Sequence, residues 1–493
     1  MIDSELISPQ VLIVGAGPVG LTLAGELALR GVDVLVIDRL RETGTAPRAS
    51  RIGARTMAFL DQRGLMGAVT PAARYTTLHF GGVPLELGKQ ADRYSGDWAV
   101  SQPRLTEVLR ERALALGVSI RQPYELHDFV AGERVRSKVG TGIGSISIVS
   151  DYLVGCDGAQ SAVARIGGFP FEGRPTTRCL LWADIVGVDI PERRFHRLPG
   201  GLAVAARRDA ASTRIMVHAR QQPLGEPGPP TPGELARAWR AVTGEDIGSA
   251  IVLRIGRFQN ENRHVTEYRR GPVLLAGDAA HRHLPIGGSS LDQGLHDGIC
   301  LGWKLAAQIA GWAPAGLLDT YHSERYVAGT TTAAAIDAQE NLLLGGPEFD
   351  PIRRVIGDLA RLPTVAHYLA GARTGSLDAG VVPDLRVTTA GGVTTSCTAL
   401  LRDGRGLILD LHGDVEVRAA AAGRRTRMHY AVAVDPPKRS AAPAAVVVRP
   451  DGHVAWSGED LDEMRRVIRK NFGDPDGHPA AVGHAFHEFH TEN

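Results

Sequence analysis

The chain is poor in the residues that staple or anchor a protein. Its four cysteines, Cys156, Cys179, Cys300 and Cys397, are scattered through 493 residues with no C-x-x-C and no paired metal spacing. That excludes a disulfide scaffold, thiol redox work and a cysteine-held metal, and makes a reducing cytoplasm the expected compartment. Charge of one sign is missing too: 55 Lys and Arg stand against 54 Asp and Glu, a formal net charge of +1. No global field exists to hold a polyanion or draw the chain onto an anionic bilayer, so neither nucleic acid nor a membrane is expected as a partner. Lysine is scarce, with only Lys89, Lys138, Lys304, Lys438 and Lys470, and arginine carries nearly all the positive charge. An unbroken membrane-length apolar run is also lacking. The nearest, Val11 to Leu29, carries one charge, Glu26, and is punctuated by Gly15, Gly17, Pro18 and Gly20, where a strand turns sharply into a helix. At about 150 residues per domain, the length implies two to four domains.

What is present is a set of three turn motifs. Val11 to Val14 reads as a strand buried on both faces, Gly15-Ala-Gly17-Pro-Val-Gly20 opens a helix to about Leu29, and Val32 to Ile37 is the next strand. Gly15 permits the tight turn, Gly17 lets the backbone approach a pyrophosphate, and Gly20 allows close packing of helix on strand. The helix N-terminus adds free N–H groups and about half a positive charge. Asp38 follows the second strand, placed to accept from a ribose hydroxyl. No second G-x-G-x-x-G follows a strand; Gly140-Thr-Gly-Ile-Gly144 reads as a hairpin loop. The other two motifs are strands ending in Asp-Gly or Gly-Asp: Asp151 to Val154 into Asp157-Gly158, and Pro272 to Ala276 into Gly277-Asp278. Each alone is an ordinary turn or cap.

Together with Ala54-Arg-Thr-Met57, Leu198-Pro-Gly-Gly201, Leu275-Ala-Gly-Asp-Ala-Ala-His281, Gly302-Trp-Lys-Leu305 and Tyr321-His-Ser-Glu-Arg325, these motifs give a resemblance over almost the whole chain. The sequence resembles the FAD-dependent aromatic hydroxylases of the para-hydroxybenzoate hydroxylase class, and within it the larger aromatic-polyketide hydroxylases. The resemblance implies an α/β fold: a discontinuous Rossmann-like FAD-binding domain (1–75, 101–180 and 271–390), an inserted sheet-rich substrate domain (76–100 and 181–270), and a thioredoxin-like C-terminal domain (395–493) without C-x-x-C. It puts the FAD pyrophosphate at Gly15, Gly17 and Gly20, the adenosine ribose on Asp38 and a phosphate contact on Arg48. It brings Gln102 to the flavin side and the Leu126 backbone to the adenine. Asp157 and Gly158 match a motif associated with FAD and the pyridine nucleotide, and Asp278 matches the acid that binds the ribityl chain. Pro285, Gly287, Gly288, Leu291 and Asp292 match the loop and helix start beside the isoalloxazine.

The activity so implied is hydroxylation of a polycyclic aromatic polyketide or quinone in antibiotic-type biosynthesis. FAD is reduced by NADPH or NADH, and a flavin C4a-hydroperoxide formed with molecular oxygen transfers one oxygen atom. A monomer or homodimer is expected, with no metal. Two departures stand out. The family pattern Gly-Gly-Gln-Gly-x-Asn is here Gly287-Gly-Ser-Ser-Leu-Asp292, which puts a carboxylate where reduced flavin carries negative charge. The arginine of Ser-x-Val-Arg is displaced by one residue, to Arg165, about 100° round a helix. The first departure motivates the alternative of a same-scaffold flavoenzyme doing Baeyer–Villiger oxidation, oxidative rearrangement or dehydration. His281 and His283 are candidates for acid–base work or local hydrogen bonding, and His484, His487 and His490 for imidazoles at helical spacing.

Overall fold

The computed structural model describes residues 7–42, 51–87, 93–209, 211–286, 289–373, 382, 384–435 and 443–475. Its centre is a six-stranded sheet in the order Arg269–Arg270, Val273–Leu275, Tyr152–Gly155, Val11–Val14, Val34–Ile37, Ser119–Arg121. All neighbours are parallel except the short edge strand Arg269–Arg270. Val11–Val14 and Val34–Ile37 are buried at every position, as strands covered on both faces must be. Register is what positions the site. Val14 pairs with Ile37 and with Gly155, and Gly155 with Leu275, so the chain leaves four strands at one edge, toward Gly15, Asp38, Asp157 and Asp278.

Helix α1, Pro18–Ala28, begins directly after the glycine turn and ends before Gly31, whose φ is 76°. The long helix Ser289–Ile309 packs across it. Gly294, Gly298 and Gly302 recur every four residues on the contact stripe. A β-carbon there would lie 2.8 Å from Val19, 3.1 Å from the Val19 carbonyl and 2.6 Å from Glu26 respectively, so only glycine lets the two helices approach so closely.

The segment 140–144 is the turn of a hairpin between Val135–Thr141 and Gly144–Ser150. A five-stranded antiparallel sheet follows, in the order Arg193–Leu198, Gly201–Arg207, Thr213–Ala219, Cys179–Val186, Ile251–Gln259, backed by helix Pro232–Thr243 with Trp239 fully buried. The stretch 75–100 does not join it: Thr77–Phe80 pairs with Val83–Glu86, and Asp97–Trp98 with Ile52–Gly53 and Arg74–Tyr75. On its other face the five-stranded sheet packs Leu180, Leu202 and Val204 against Leu284 and Ile286.

The C-terminal part holds a six-stranded mixed sheet in the order Thr394–Ser396, Arg386–Thr389, Met428–Ala433, Gly406–Asp410, Ala445–Val448, Val454–Gly458. It docks on the central unit through buried charge. The Arg63 guanidinium donates to the Leu401 and Pro450 carbonyls at 2.7 and 2.6 Å, and Arg449 pairs with Glu324 at 2.9 Å. All four cysteines are free and buried. Among the described residues no helix is long and apolar enough to cross a membrane, and no cluster of three or more His, Cys, Asp or Glu could hold a metal.

Candidate flavin site

The glycine turn has the shape a dinucleotide needs. Gly15 sits at φ 111°, where a β-carbon would lie 2.3 Å from the Cys156 carbonyl oxygen. At Gly20 a β-carbon would come within 2.0 Å of the Gly15 oxygen. Gly17 is different: beyond its own chain neighbours, no described atom lies within 4 Å of where its β-carbon would be. Gly17 also caps α1 without any side-chain hydrogen bond, so the first N–H groups of the helix are left for a ligand. Two glycines are required by the protein and the third opens onto free space.

Asp38 closes the turn from the next strand. Its Oδ2 accepts from the Ala16 N–H and its Oδ1 from the Leu40 N–H, both at 2.8 Å. A carboxylate has about four lone-pair sites, so acceptor capacity remains for a ribose. Asp157 accepts from Ala162 N–H (2.7 Å) and Val163 N–H (3.2 Å), anchoring the short helix Ala162–Ile166 that Ser161 also caps. Its other oxygen is buried with no hydrogen-bond partner among the described residues, and burial pushes the carboxyl above its ordinary range despite those bonds. An orphaned buried acceptor at the sheet edge fits a hydroxyl-bearing cofactor. Gly158 takes φ 79°, and Arg165 is exposed.

Gly277, at φ 69°, and half-buried Asp278 form a single 3-10 turn. What holds that turn is Asp297, fully buried two turns along the long helix. Asp297 accepts from Gly277 N–H (2.9 Å), pairs with Arg325 (2.6 Å) and bonds His281 Nε2 (2.8 Å). Arg325 and His281 outweigh burial and keep this carboxyl below its usual range. His281 therefore does local bonding. His283 bonds Gln293 Oε1 and Ser290 Oγ, each at 3.0 Å, and burial lowers it to about 4, so it is neutral at pH 7.

Gln102 opens helix Gln102–Ala115 and Leu126 is buried in strand Glu125–Ala131. Pro285 is exposed and Leu291 half-buried at the start of the long helix. Asp292 turns away from solvent to bond the N-terminus of helix α2, Ala54–Gln62, through Gly53 N–H and Thr56 Oγ1. Arg48, Gly287, Gly288, His484, His487 and His490 lie outside the described residues. Asp297 and the Gly294, Gly298, Gly302 stripe were not singled out from sequence, although the four-residue glycine spacing is a readable signal of close helix packing.

Three βα turns at one edge of a parallel sheet, the first built for a pyrophosphate, define a dinucleotide-binding enzyme fold. The FAD binding domain family matches residues 8–335, and the aromatic-ring hydroxylase C-terminal family matches residues 377–475. The chain belongs to the FAD-dependent aromatic-ring hydroxylases, a family of flavin monooxygenases. It is 35% identical over 481 residues to dialkyldecalin synthase of Streptomyces rugosporus, covering 94% of this chain and 99% of that one. It is 32% identical to a rifampicin monooxygenase of Streptomyces venezuelae, covering 94% and 98%. Among solved structures, CabE, an aromatic hydroxylase from angucycline biosynthesis, superposes with a TM-score of 0.87 at 38% identity, covering 95% and 99%.

Proposed function

We propose that this protein hydroxylates a polycyclic aromatic polyketide or quinone, using FAD, NADPH or NADH, and molecular oxygen. The observation that carries the reading is the register that brings the glycine turn, Asp38, Asp157 and Gly277-Asp278 to one sheet edge. FAD supplies the electron transfer and oxygen activation. The chain supplies the rest. The open face at Gly17 and the uncapped α1 N–H groups take the pyrophosphate, with Gly15 and Gly20 fixing the turn. Asp38 accepts from the adenosine ribose, Arg48 meets a phosphate, and Leu126 meets the adenine. Asp278 accepts from ribityl hydroxyls, each charge-assisted bond contributing about 1.5 to 3 kcal/mol. Gln102, Pro285, Gly287, Gly288, Leu291 and Asp292 border the ring, with Asp157 and Gly158 shared by the two nucleotides.

The five-stranded sheet forms the substrate wall, because its apolar face already packs on Leu284 and Ile286 of the ring-side loop. Phe195, at φ 55° the only described non-glycine residue with positive φ, sits at an irregularity in that sheet with its ring 4.3 Å from His79. Strain of this kind is retained where a side chain must be aimed, here from the sheet into the space shared with residues 77–86. On this reading the segments 1–75, 101–180 and 271–390 bind FAD, 76–100 and 181–270 bind substrate, and 395–493 is a thioredoxin-like accessory unit. The buried free thiols support a cytoplasmic enzyme, which acts as a monomer or homodimer.

A second reading has a specific observation behind it. Dialkyldecalin synthase is named for ring formation, and Ser289, Ser290 and Asp292 alter the stretch beside the ring; a non-hydroxylating reaction on the same scaffold follows. Substrate-stimulated NAD(P)H oxidation separates the two. Polycyclic phenols and quinones that raise the rate support hydroxylation, whereas an isomeric product formed without NAD(P)H consumption overturns it.

A further inference from the structure

Asp292 is a buried acid in an unusual position. It stands in the first turn of the long helix Ser289–Ile309, 4% exposed, directly after the loop that the proposed function puts beside the isoalloxazine. Its carboxyl accepts from Gly53 N–H at 2.9 and 3.1 Å and from Thr56 Oγ1 at 2.5 Å. No Lys, Arg or His nitrogen among the described residues comes within 4.0 Å of it, although buried acids ordinarily hold a cation. The charges that act on it from neighbouring elements are Asp97, on strand Asp97–Trp98, and Arg373, at the end of helix Pro363–Ala372. These two pair with each other at 3.1 Å and act on Asp292 in opposite senses, Asp97 raising its pKa and Arg373 lowering it. Burial pushes the carboxyl up to about 6, against the downward pull of the Thr56 and Gly53 bonds.

We propose that Asp292 binds a proton when the neighbouring flavin is reduced, so that reduction of the cofactor is coupled to protonation of this side chain. The inference rests on the ring placement given above. Hydride from NAD(P)H delivers two electrons and one proton and leaves a negative charge on the flavin. Asp292 carboxylate takes a second proton from solvent and becomes the neutral acid, so two electrons and two protons enter the site. Reoxidation reverses the uptake. The cause is like-charge repulsion in a dry site: a new anion nearby raises the affinity of the carboxylate for a proton.

Potentiometric titration of the holoprotein between pH 5 and 9 tests this, with Asp292→Asn alongside. For a two-electron couple, each proton taken up shifts the potential by about 30 mV per tenfold change in proton concentration. The wild-type slope is expected to steepen above about pH 6, from about 30 to about 59 mV per pH. Asp292→Asn is expected to show no break there. The wild-type curve carries the test by itself should the variant fail to fold. A break that persists in Asp292→Asn, or a wild-type line without one, overturns the proposal. The flavin absorption band tells the two failures apart. A band shifted by Asp292→Asn with unchanged slopes keeps the ring beside residue 292 and refutes only the proton uptake. An unshifted band with unchanged slopes refutes the ring placement as well.

Discussion

The single charge in the apolar stretch Val11–Leu29 invites a direct test. Glu26 is 1% exposed in α1 and faces three arginines. Arg63, itself fully buried, grips it with two parallel bonds of 2.7 Å; Arg30 lies at 3.1 Å and Arg112 at 3.7 Å. Burial works to raise its pKa, but Arg63 and Arg30, aided by Arg112, outweigh it and hold the carboxyl at about 2, down from 4.5. At 1.36 kcal/mol per pKa unit, that difference corresponds to about 3 kcal/mol of folded-state stability. Breaking a buried pair by removing one partner costs a similar 3 to 5 kcal/mol, because the other charge is stranded. Glu26→Gln keeps the shape and removes only the charge. Urea unfolding of the holoprotein at pH 7, followed by tryptophan and flavin fluorescence, should show a loss of about 3 kcal/mol. The sign fixes the pH window. A depressed carboxyl stabilises the fold above its unfolded pKa, and that contribution fades as pH falls from 4.5 toward 2. Wild type and variant should therefore converge over that range. A loss below about 1 kcal/mol at pH 7, the size of an exposed pair, would refute the reasoning, as would a gap that ignores pH.

Gly17→Val should yield a folded, colourless protein, since beyond its chain neighbours its β-carbon meets no described atom within 4 Å; circular dichroism and the FAD-to-protein ratio check both halves, and a stoichiometric yellow protein contradicts the pyrophosphate assignment. Asp297→Ala strands buried Arg325 and His281 and releases the Gly277 N–H. It should cost about 3 to 5 kcal/mol in urea and weaken FAD retention on dialysis; wild-type retention would show that the Gly277-Asp278 turn needs no such brace.

The parts of the fold that were legible are those whose signal is local. The strand, glycines, helix and strand of residues 11–37 carry their own punctuation, and so does the hairpin at 140–144. Strand partnership is not local: the strand-rich stretches 76–100 and 181–270 read as one substrate domain, yet Asp97–Trp98 pairs with Ile52–Gly53. The same holds for buried charge. Glu26 is conspicuous in sequence, but Arg63 and Arg112 reach it from helices far along the chain. Asp297 looks like any helical acid until Gly277, His281 and Arg325 are folded onto it. Asp292 was read as a charge opposing reduced flavin. Its bonds to Gly53 and Thr56, and its lack of a close cation among the described residues, came only with the helices in place.

Hydroxylation from molecular oxygen is the central claim. Incubating the FAD-loaded protein with NADPH, a polycyclic aromatic polyketide and oxygen-18 gas, then weighing the product, tests it most directly. One oxygen-18 atom added per product molecule is the predicted result. A product of unchanged mass, or one whose added oxygen comes from water, would contradict it.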